Sequence, residues 1–492
     1  MIRTLFSLLL LSSLAACTSF TPDEWVTEIP QIGSSSSPMA VDLTGDGIDD
    51  IVFGGGGKEF TATDAAVVAL DGATGQVIWQ HPARNQIVGS AIFQDIDSDS
   101  IPDVFIGGRS AVFCALSGKD GQLLWEFLPD DPAVAYYEDT SILNFFNPQW
   151  VPDVDADGYR DILTAYGGFV KAGPEVTDRP VGYLMVISGL TGKTLRKLPV
   201  PDGQETYLSP VVHDFNGEGK LEVIFGTGGE NLAGKLYRIE LNVLMNEGLT
   251  RAKVIMDGND KGFIAPPVLI DVNLDGTKDI VINSVDGRLR CLNGSNNETI
   301  WTVQPPGVFD NYTMPGPGFF VGNDAVPDFF NSFGKGAWPD TEYSLHTLVD
   351  GATGDIIFSD TLGTFQYASP VVADFTGNGK HDVLLAVNKD LEIQFGEGVD
   401  EFLGTSLYLF EEGRAPSREL FNASLGSNLG STPLITDLDH DQRMDIIFSY
   451  MSDPKNFYSF KKLKVERREL PEAPDAIFLG NYMGPNCTSI IE

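Results

Sequence analysis

Seven copies of a nine-residue segment place oxygen-bearing side chains at positions 1, 3, 5 and 9. The sets are Asp42, Thr44, Asp46 and Asp50; Asp95, Asp97, Asp99 and Asp103; Asp153, Asp155, Asp157 and Asp161; Asp214, Asn216, Glu218 and Glu222; Asp271, Asn273, Asp275 and Asp279; Asp374, Thr376, Asn378 and Asp382; and Asp437, Asp439, Asp441 and Asp445. Alternate side chains of a tight loop converge on one side, and the position-7 carbonyl adds a further oxygen. The chemistry this suits is capture of a hard cation, so the expected cofactor is Ca2+ at up to seven sites. Glycine fills position 6 in five copies and permits a left-handed turn there. Ser100 and Gln442 stand at that position in the other two, which marks those loops as strained.

The charge balance agrees with this reading. The formal net charge is -37, and the 28 positions above hold 23 of the 69 acids. Removal of a leader containing Arg3 takes the chain to -38, and seven divalent ions would bring it to about -24. Metal would thus relieve self-repulsion that opposes folding. A chain this acidic repels phosphate backbones, so nucleic acid is excluded as a partner. The basic run Lys461, Lys462, Lys464, Arg467 and Arg468 reads as a solvated strand edge kept charged to discourage pairing.

The elements that must hold the loops are short strands. A β-branched run such as Ile51-Val52-Phe53 follows each loop, then a second run such as Val67 to Leu70, a turn and a last strand. Ahead of the loops, Ser37-Pro38, Ser209-Pro210, Ser369-Pro370 and Thr432-Pro433 open another strand. Loop starts are spaced 53, 58, 61, 57, 103 and 63 residues. The long gap contains Phe320 to Asp328, a decayed copy that keeps acids at positions 5 and 9. With it there are eight units of four strands, which predicts an all-β, eight-bladed propeller of antiparallel blades, seven blades being the alternative.

The loop followed by Ile-Val-Phe-Gly-Gly resembles the FG-GAP repeat of integrin-type propellers. The run from Ala69 to Trp79, with Asp71, Thr74 and Gly75, resembles the tryptophan-docking motif of quinoprotein-type eight-bladed propellers. The resemblance implies that each loop bridges the first two strands of a blade and holds calcium there, and that Trp79, Trp125 and Trp301 pack between blades. Trp25 lies 17 residues before Asp42 much as Trp79 lies 16 before Asp95, so Glu24 to Gln31 is a candidate outer strand for the last blade. Lys464 to Leu470 competes for that place.

Residues 1–16 read as a signal peptide, and Leu14-Ala15-Ala16-Cys17 looks like a bacterial lipobox with Cys17 as the lipidated residue. Thr18 points to outer-membrane sorting. The expected organisation is a tether at 17–23, the propeller at 24–470 and a closing segment at 471–492, anchored at the outer membrane or cell envelope on its periplasmic or exposed side. Cys114 and Cys291 fall in apolar runs and are expected to be buried thiols.

Structural metal loops leave function to the segments around them. Residues 130–150 and 304–343 are rich in aromatic side chains, and Tyr312 and Trp338 stand as candidates for a ligand surface. The paired phenylalanines 319/320 and 329/330 read as core. The function expected is a binding or scaffolding module for a protein or a carbohydrate. A calcium-dependent polysaccharide lyase or other glycan-active enzyme is the alternative, and a quinoprotein oxidoreductase is more distant, because no vicinal cysteine pair exists among Cys17, Cys114, Cys291 and Cys487. The five histidines are scattered, which gives a zinc site or a histidine triad no support.

Overall fold

After the acid that opens it, the second strand of each unit begins with an apolar run because both of its faces are covered there. Asp50–Gly54, Asp103–Gly107 and Asp161–Gly167 are buried at every residue, whereas outer strands such as Thr194–Pro199 are largely exposed. A sheet with apolar faces on both sides needs a neighbour on each side. Arranging such sheets in a ring supplies both neighbours and leaves only short edges.

The computed structural model describes residues 24–127, 143–169, 176–307, 309–322, 325–337, 340–395, 398–414, 416–441, 443–453 and 461–470. They form eight antiparallel sheets, each a path of four strands, in sequence order in seven of them, and this is an eight-bladed β-propeller. Blade 1 consists of Met39–Val41, Asp50–Gly54, Thr63–Leu70 and Val77–Ala83. In blades 3 and 6 the first strand is split in two, as Asn144–Phe145 with Gln149–Val151 and as Phe309–Asp310 with Gly316–Gly318. Blade 6 carries the decayed loop copy, so that copy does mark a blade.

Ring closure uses both competing segments. Blade 8 runs Leu434–Thr436, Asp445–Met451, Lys462–Glu469 and then the N-terminal strand Trp25–Pro30, which pairs antiparallel with the third strand from Trp25 opposite Arg467 to Pro30 opposite Lys462. The basic run is therefore an interior strand, a correction to the edge reading. Its charges are matched by acids of the covering strand and its own, including Lys462 to Glu28 at 2.7 Å and Arg468 to Glu24 at 3.0 Å. Arg467 is only 2% exposed.

The core lies between blades rather than within one central mass. One cluster joins Val52, Val67 and Trp79 of blade 1 to Val104, Ile106 and Cys114 of blade 2, and another joins Ile51 and Phe53 of blade 1 to Ile447, Leu463 and Val465 of blade 8. The docking tryptophans bridge these seams. Trp25, Trp79, Trp125 and Trp301 each donate Nε1–H to the carbonyl of Gly72, Gly118, Gly189 and Gly351 in the next blade, at 2.7–2.9 Å. The Trp79 ring lies where a Cβ on Gly121 would fall, 2.7 Å away, and Gly121 also has φ +71°, so only glycine fits under the indole.

Several side chains of the two aromatic-rich segments belong to this core, Phe320, Phe329 and Phe330 as expected. Phe145, Phe320, Phe329, Phe330 and Phe333 are fully buried, and Trp150 and Phe309 nearly so. The 304–343 segment is not an insertion but the first two strands of blade 6 and the start of its third, whose alternation buries the rings. Trp338, Cys17, the leader and the 471–492 segment lie outside the described residues. Cys114 and Cys291 are buried free thiols, as expected, and burial pushes Cys114 up to about 12.

Blade 6 also buries His346, with Nδ1 2.9 Å from the Ser332 hydroxyl and Nε2 2.9 Å from the Leu362 carbonyl. A carbonyl only accepts, so Nε2 carries the proton of the neutral ring. Burial pushes this imidazole down to about 4. The unfolded histidine binds a proton near 6.5 while the folded one does not, so this group's contribution is complete above that pH and is lost as pH falls toward 4. Between pH 7 and pH 5 the loss is roughly 2 kcal/mol. His346→Gln is expected to flatten that part of the stability profile, measured as denaturant midpoints at the two pH values; an unchanged slope would show the ring is already charged when folded.

Candidate functional site

Each acidic loop is the tight connection between the first two strands of a blade. The register sets it: Val41 pairs with Asp50, Gln94 with Asp103, Ile270 with Asp279 and Ala373 with Asp382, so position 9 is the first residue of the second strand. Within the loop the position-6 N–H donates to Oδ2 of the position-1 aspartate at 2.7–3.1 Å in the six copies where that residue is described. Ser100 reaches this geometry at φ 71°, the strain expected where glycine is missing.

A second left-handed residue was not apparent from the motif. Position 4 has positive φ in all seven loops, at Gly45, Ser98, Ala156, Gly217, Leu274, Gly377 and His440. Four of these are not glycine, and for a residue such as Leu274 that conformation costs on the order of 1–2 kcal/mol. Two left-handed residues coil the chain so that positions 1, 3 and 5 face a common point. Carboxylate oxygens of Asp95, Asp97 and Asp99, of Asp153, Asp155 and Asp161, and of Asp437, Asp439 and Asp441 each lie within 4.8 Å of one another.

Position 9 has a further task. Asp50 accepts Leu43 and Thr44 N–H on Oδ2 at 2.9 and 3.0 Å and Gly72 N–H on Oδ1 at 3.0 Å, which ties the loop to the hairpin joining the third and fourth strands. Asp103, Asp161, Asp279 and Asp382 make the same two-sided bond, and Asp328 keeps it in the decayed copy, to Val321 and Gly351. Burial pushes the carboxyls of Asp50 and Asp103 up to about 6 while these N–H donors pull them down.

Two blades lack the hairpin donor, and both substitute arginine. In blade 4 a helix, Leu241–Glu247, follows the third strand, and in blade 8 the fourth strand comes from the other end of the chain. Arg238 pairs with Ile224 and Arg467 with Ile447, in each case two residues past position 9. Arg238 forks onto Glu222, with Nε to Oε1 at 2.9 Å, and donates Nη1–H to the Gly294 carbonyl of blade 5 at 2.6 Å. Arg467 forks onto Asp445 at 2.7 and 2.9 Å, reaches Asp439 at 2.6 Å and donates to the Gly72 carbonyl of blade 1 at 3.2 Å.

The donor set of these loops fits a hard divalent cation such as calcium. All donors are oxygens, and two of them, Oδ1 of Asp214 and Oδ1 of Asp439, are buried with no hydrogen-bond partner. A buried, unpartnered carboxylate oxygen is costly unless a cation meets it. Positions 1, 3 and 5 would hold the ion, with position 9 contributing in the Asp153 copy, and the ion would supply charge neutralisation and cross-linking of the loop.

The second feature lies on the opposite face. In a four-stranded antiparallel blade the first-to-second and third-to-fourth connections share one end, and the remaining connections share the other. A cavity of about 660 Å³ opens at that other end and is lined from around the ring, by Ser34, Gly56, Arg109, Arg179, Glu205, Glu230, Tyr312, Tyr367 and Met451 among others. Six lining residues, Ser35, Val88, Tyr207, Ile264, Tyr312 and Tyr367, each stand four residues before the first strand of their blade or its second segment. That slot was a legible signal: in two repeats a tyrosine stands two residues before the Ser-Pro strand opener, Tyr207 before Ser209 and Tyr367 before Ser369. Tyr312, expected at a surface, instead lines this cavity half-buried.

Charge in the cavity is arranged in pairs. Arg109 lies 2.9 Å from Glu59, and Arg179 lies 3.6 Å from Glu205, which also accepts the Tyr207 hydroxyl at 2.9 Å. Burial holds the carboxyls of Glu205 and Glu230 above the usual range. Tyr312 and Tyr367 stand with ring centroids 4.7 Å apart.

No family model matches the chain. It is 22% identical over 381 residues to protein FAM234B of Mus musculus, covering 71% of this chain and 56% of that protein. It is 34% identical to protein FAM234A of Mus musculus over 102 residues, 20% of this chain and 17% of the relative. The chain thus spans about half the length of the first of these relatives and less of the second. Among solved structures, quinohemoprotein alcohol dehydrogenase from Comamonas testosteroni superposes with a TM-score of 0.56 at 11% identity, over 92% of this chain and 77% of that one. The exotype rhamnogalacturonan lyase YesX gives 0.53 at 13%, over 89% and 75%. At these identities the likeness is one of fold.

Proposed function

We propose that the chain is a calcium-stabilised propeller, lipid-anchored through Cys17 at the bacterial outer membrane or cell envelope, that binds a protein or carbohydrate ligand in its central cavity. The observation that carries this reading is the division of labour between two faces. Oxygen-lined loops rim one face, where they brace each blade, and the other face presents a cavity with aromatic, carboxylate and guanidinium groups in one concave site. The lipobox-like run Leu14-Ala15-Ala16-Cys17 and the FG-GAP-like repeat support the envelope and calcium parts of the reading.

Capture from envelope extracts tests it. Wild-type protein with calcium is expected to retain a ligand that is lost with chelator and at least ten-fold reduced in Ser35→Trp, which fills the cavity mouth. Equal capture by Ser35→Trp would place the binding surface elsewhere. A glycan-active enzyme is the second reading, favoured by two carboxyls, Glu205 and Glu230, raised by burial in one cavity. Both cavity arginines are held by carboxylates, which argues against either as the base of a lyase. Absorbance of unsaturated product from pectic polymers separates the two.

A further inference from the structure

The charged groups in and beside the central cavity do not balance. Glu59 has Arg109, Glu205 has Arg179, and Asp310 holds Lys261 at 2.7 and 2.8 Å through both of its oxygens. Glu230 is left over. Among the described residues no cation forms an ion pair with it; the positive charge that acts on it from a distance, Lys261, is held by Asp310. Tyr312, whose ring stands against Tyr367, lines the same cavity, with its hydroxyl 3.5 Å from Asp310.

We propose that the central cavity receives a lysine or arginine side chain of a basic protein segment, with Glu230 as counter-ion and the Tyr312 and Tyr367 rings beside the cation. The inference rests on the reading of this cavity as the binding site and names its ligand class. Glu230 is half-buried in the cavity wall; a carboxylate drawn partly out of water with no cation paired to it is costly, and an entering ammonium or guanidinium removes that cost while forming a charge-assisted bond. Tyrosine faces attract the same cation through their quadrupole. A neutral sugar would stack on the rings yet leave Glu230 uncompensated, and an anion would meet it with repulsion. At long range the net charge of -37 draws basic segments and repels acidic ones.

The test uses the full chain with calcium and two blocked pentapeptides, Gly-Gly-Lys-Gly-Gly and its norleucine counterpart, titrated calorimetrically. The lysine peptide is expected to bind at least ten-fold tighter than the norleucine peptide. Glu230→Gln, which is isosteric and should melt no lower than wild type, is expected to erase that difference. Equal binding of the two peptides, binding of neither, or an undiminished preference in Glu230→Gln would overturn the proposal. The lysine–norleucine comparison stands on wild-type protein alone, so it does not depend on the variant folding. An oligogalacturonide that binds wild type and is excluded by Ser35→Trp would overturn the cationic ligand while leaving the cavity as the binding site; a captured envelope ligand that Ser35→Trp still retains would sink the site itself.

Discussion

Chelating calcium at neutral pH and moderate salt is expected to lower the midpoint of thermal unfolding by ~10 °C or more, the largest effect of any single change in conditions. Each loop that is saturated at about 100 times its dissociation constant contributes about 2.7 kcal/mol through mass action. The three loops whose carboxylates already converge, those starting at Asp95, Asp153 and Asp437, should account for most of it. The Asp374 copy, with Thr376 and Asn378 in place of acids, should account for least. Differential scanning calorimetry with EGTA, then with calcium restored, checks this directly. Asp155→Asn should remove one tight site from a calcium titration and Thr376→Ala none. A melting profile indifferent to chelator would mean that the position-9 staples hold the loops unaided.

The second large effect is at the ring closure. Arg467→Met should destabilise the protein by roughly 3–5 kcal/mol, because it leaves Asp445 buried, and the half-buried Asp439 beside it, without the guanidinium both face. It also removes the bond to Gly72 that, with Trp25, joins blade 8 to blade 1. Arg467→Lys should recover little, since a point charge cannot fork onto Asp445 and still reach Asp439 and the Gly72 carbonyl. The neighbouring Arg468, a third exposed and paired with Glu466 and Glu24, is the control, with an expected loss under about 1 kcal/mol for Arg468→Met. Denaturant midpoints of the three variants decide it; equal midpoints for Arg467→Met and Arg468→Met would show that strand pairing alone closes the ring.

Local signals carried the repeating parts. A nine-residue spacing of acids implies a loop whatever lies around it, and an apolar run after it implies a strand buried on both faces, so blade count and strand order were readable. The decayed copy was readable for the same reason: Asp328 survives because it ties its loop to the hairpin at Gly351, a task independent of metal. The left-handed residue at position 4 escaped notice because Ser98, Ala156, Leu274 and His440 hide it behind side chains that ordinarily avoid that conformation.

What the chain determined by itself, then, was everything repeated along it: loops, strands, docking tryptophans and the number of units. Only the closed ring decided which residues from distant repeats meet. Glu205, Glu230 and Tyr312 come together because the inner connections of different blades converge on one axis, and no pattern within a single repeat encodes that meeting. The same holds for Arg467, which reads as part of an exposed basic run until the N-terminal strand covers it and its partners arrive from the loop of its own blade and the hairpin of the first. Periodicity reports what each segment does to its neighbours in sequence; the cavity and the closure depend on contacts between segments that the ring alone makes neighbours.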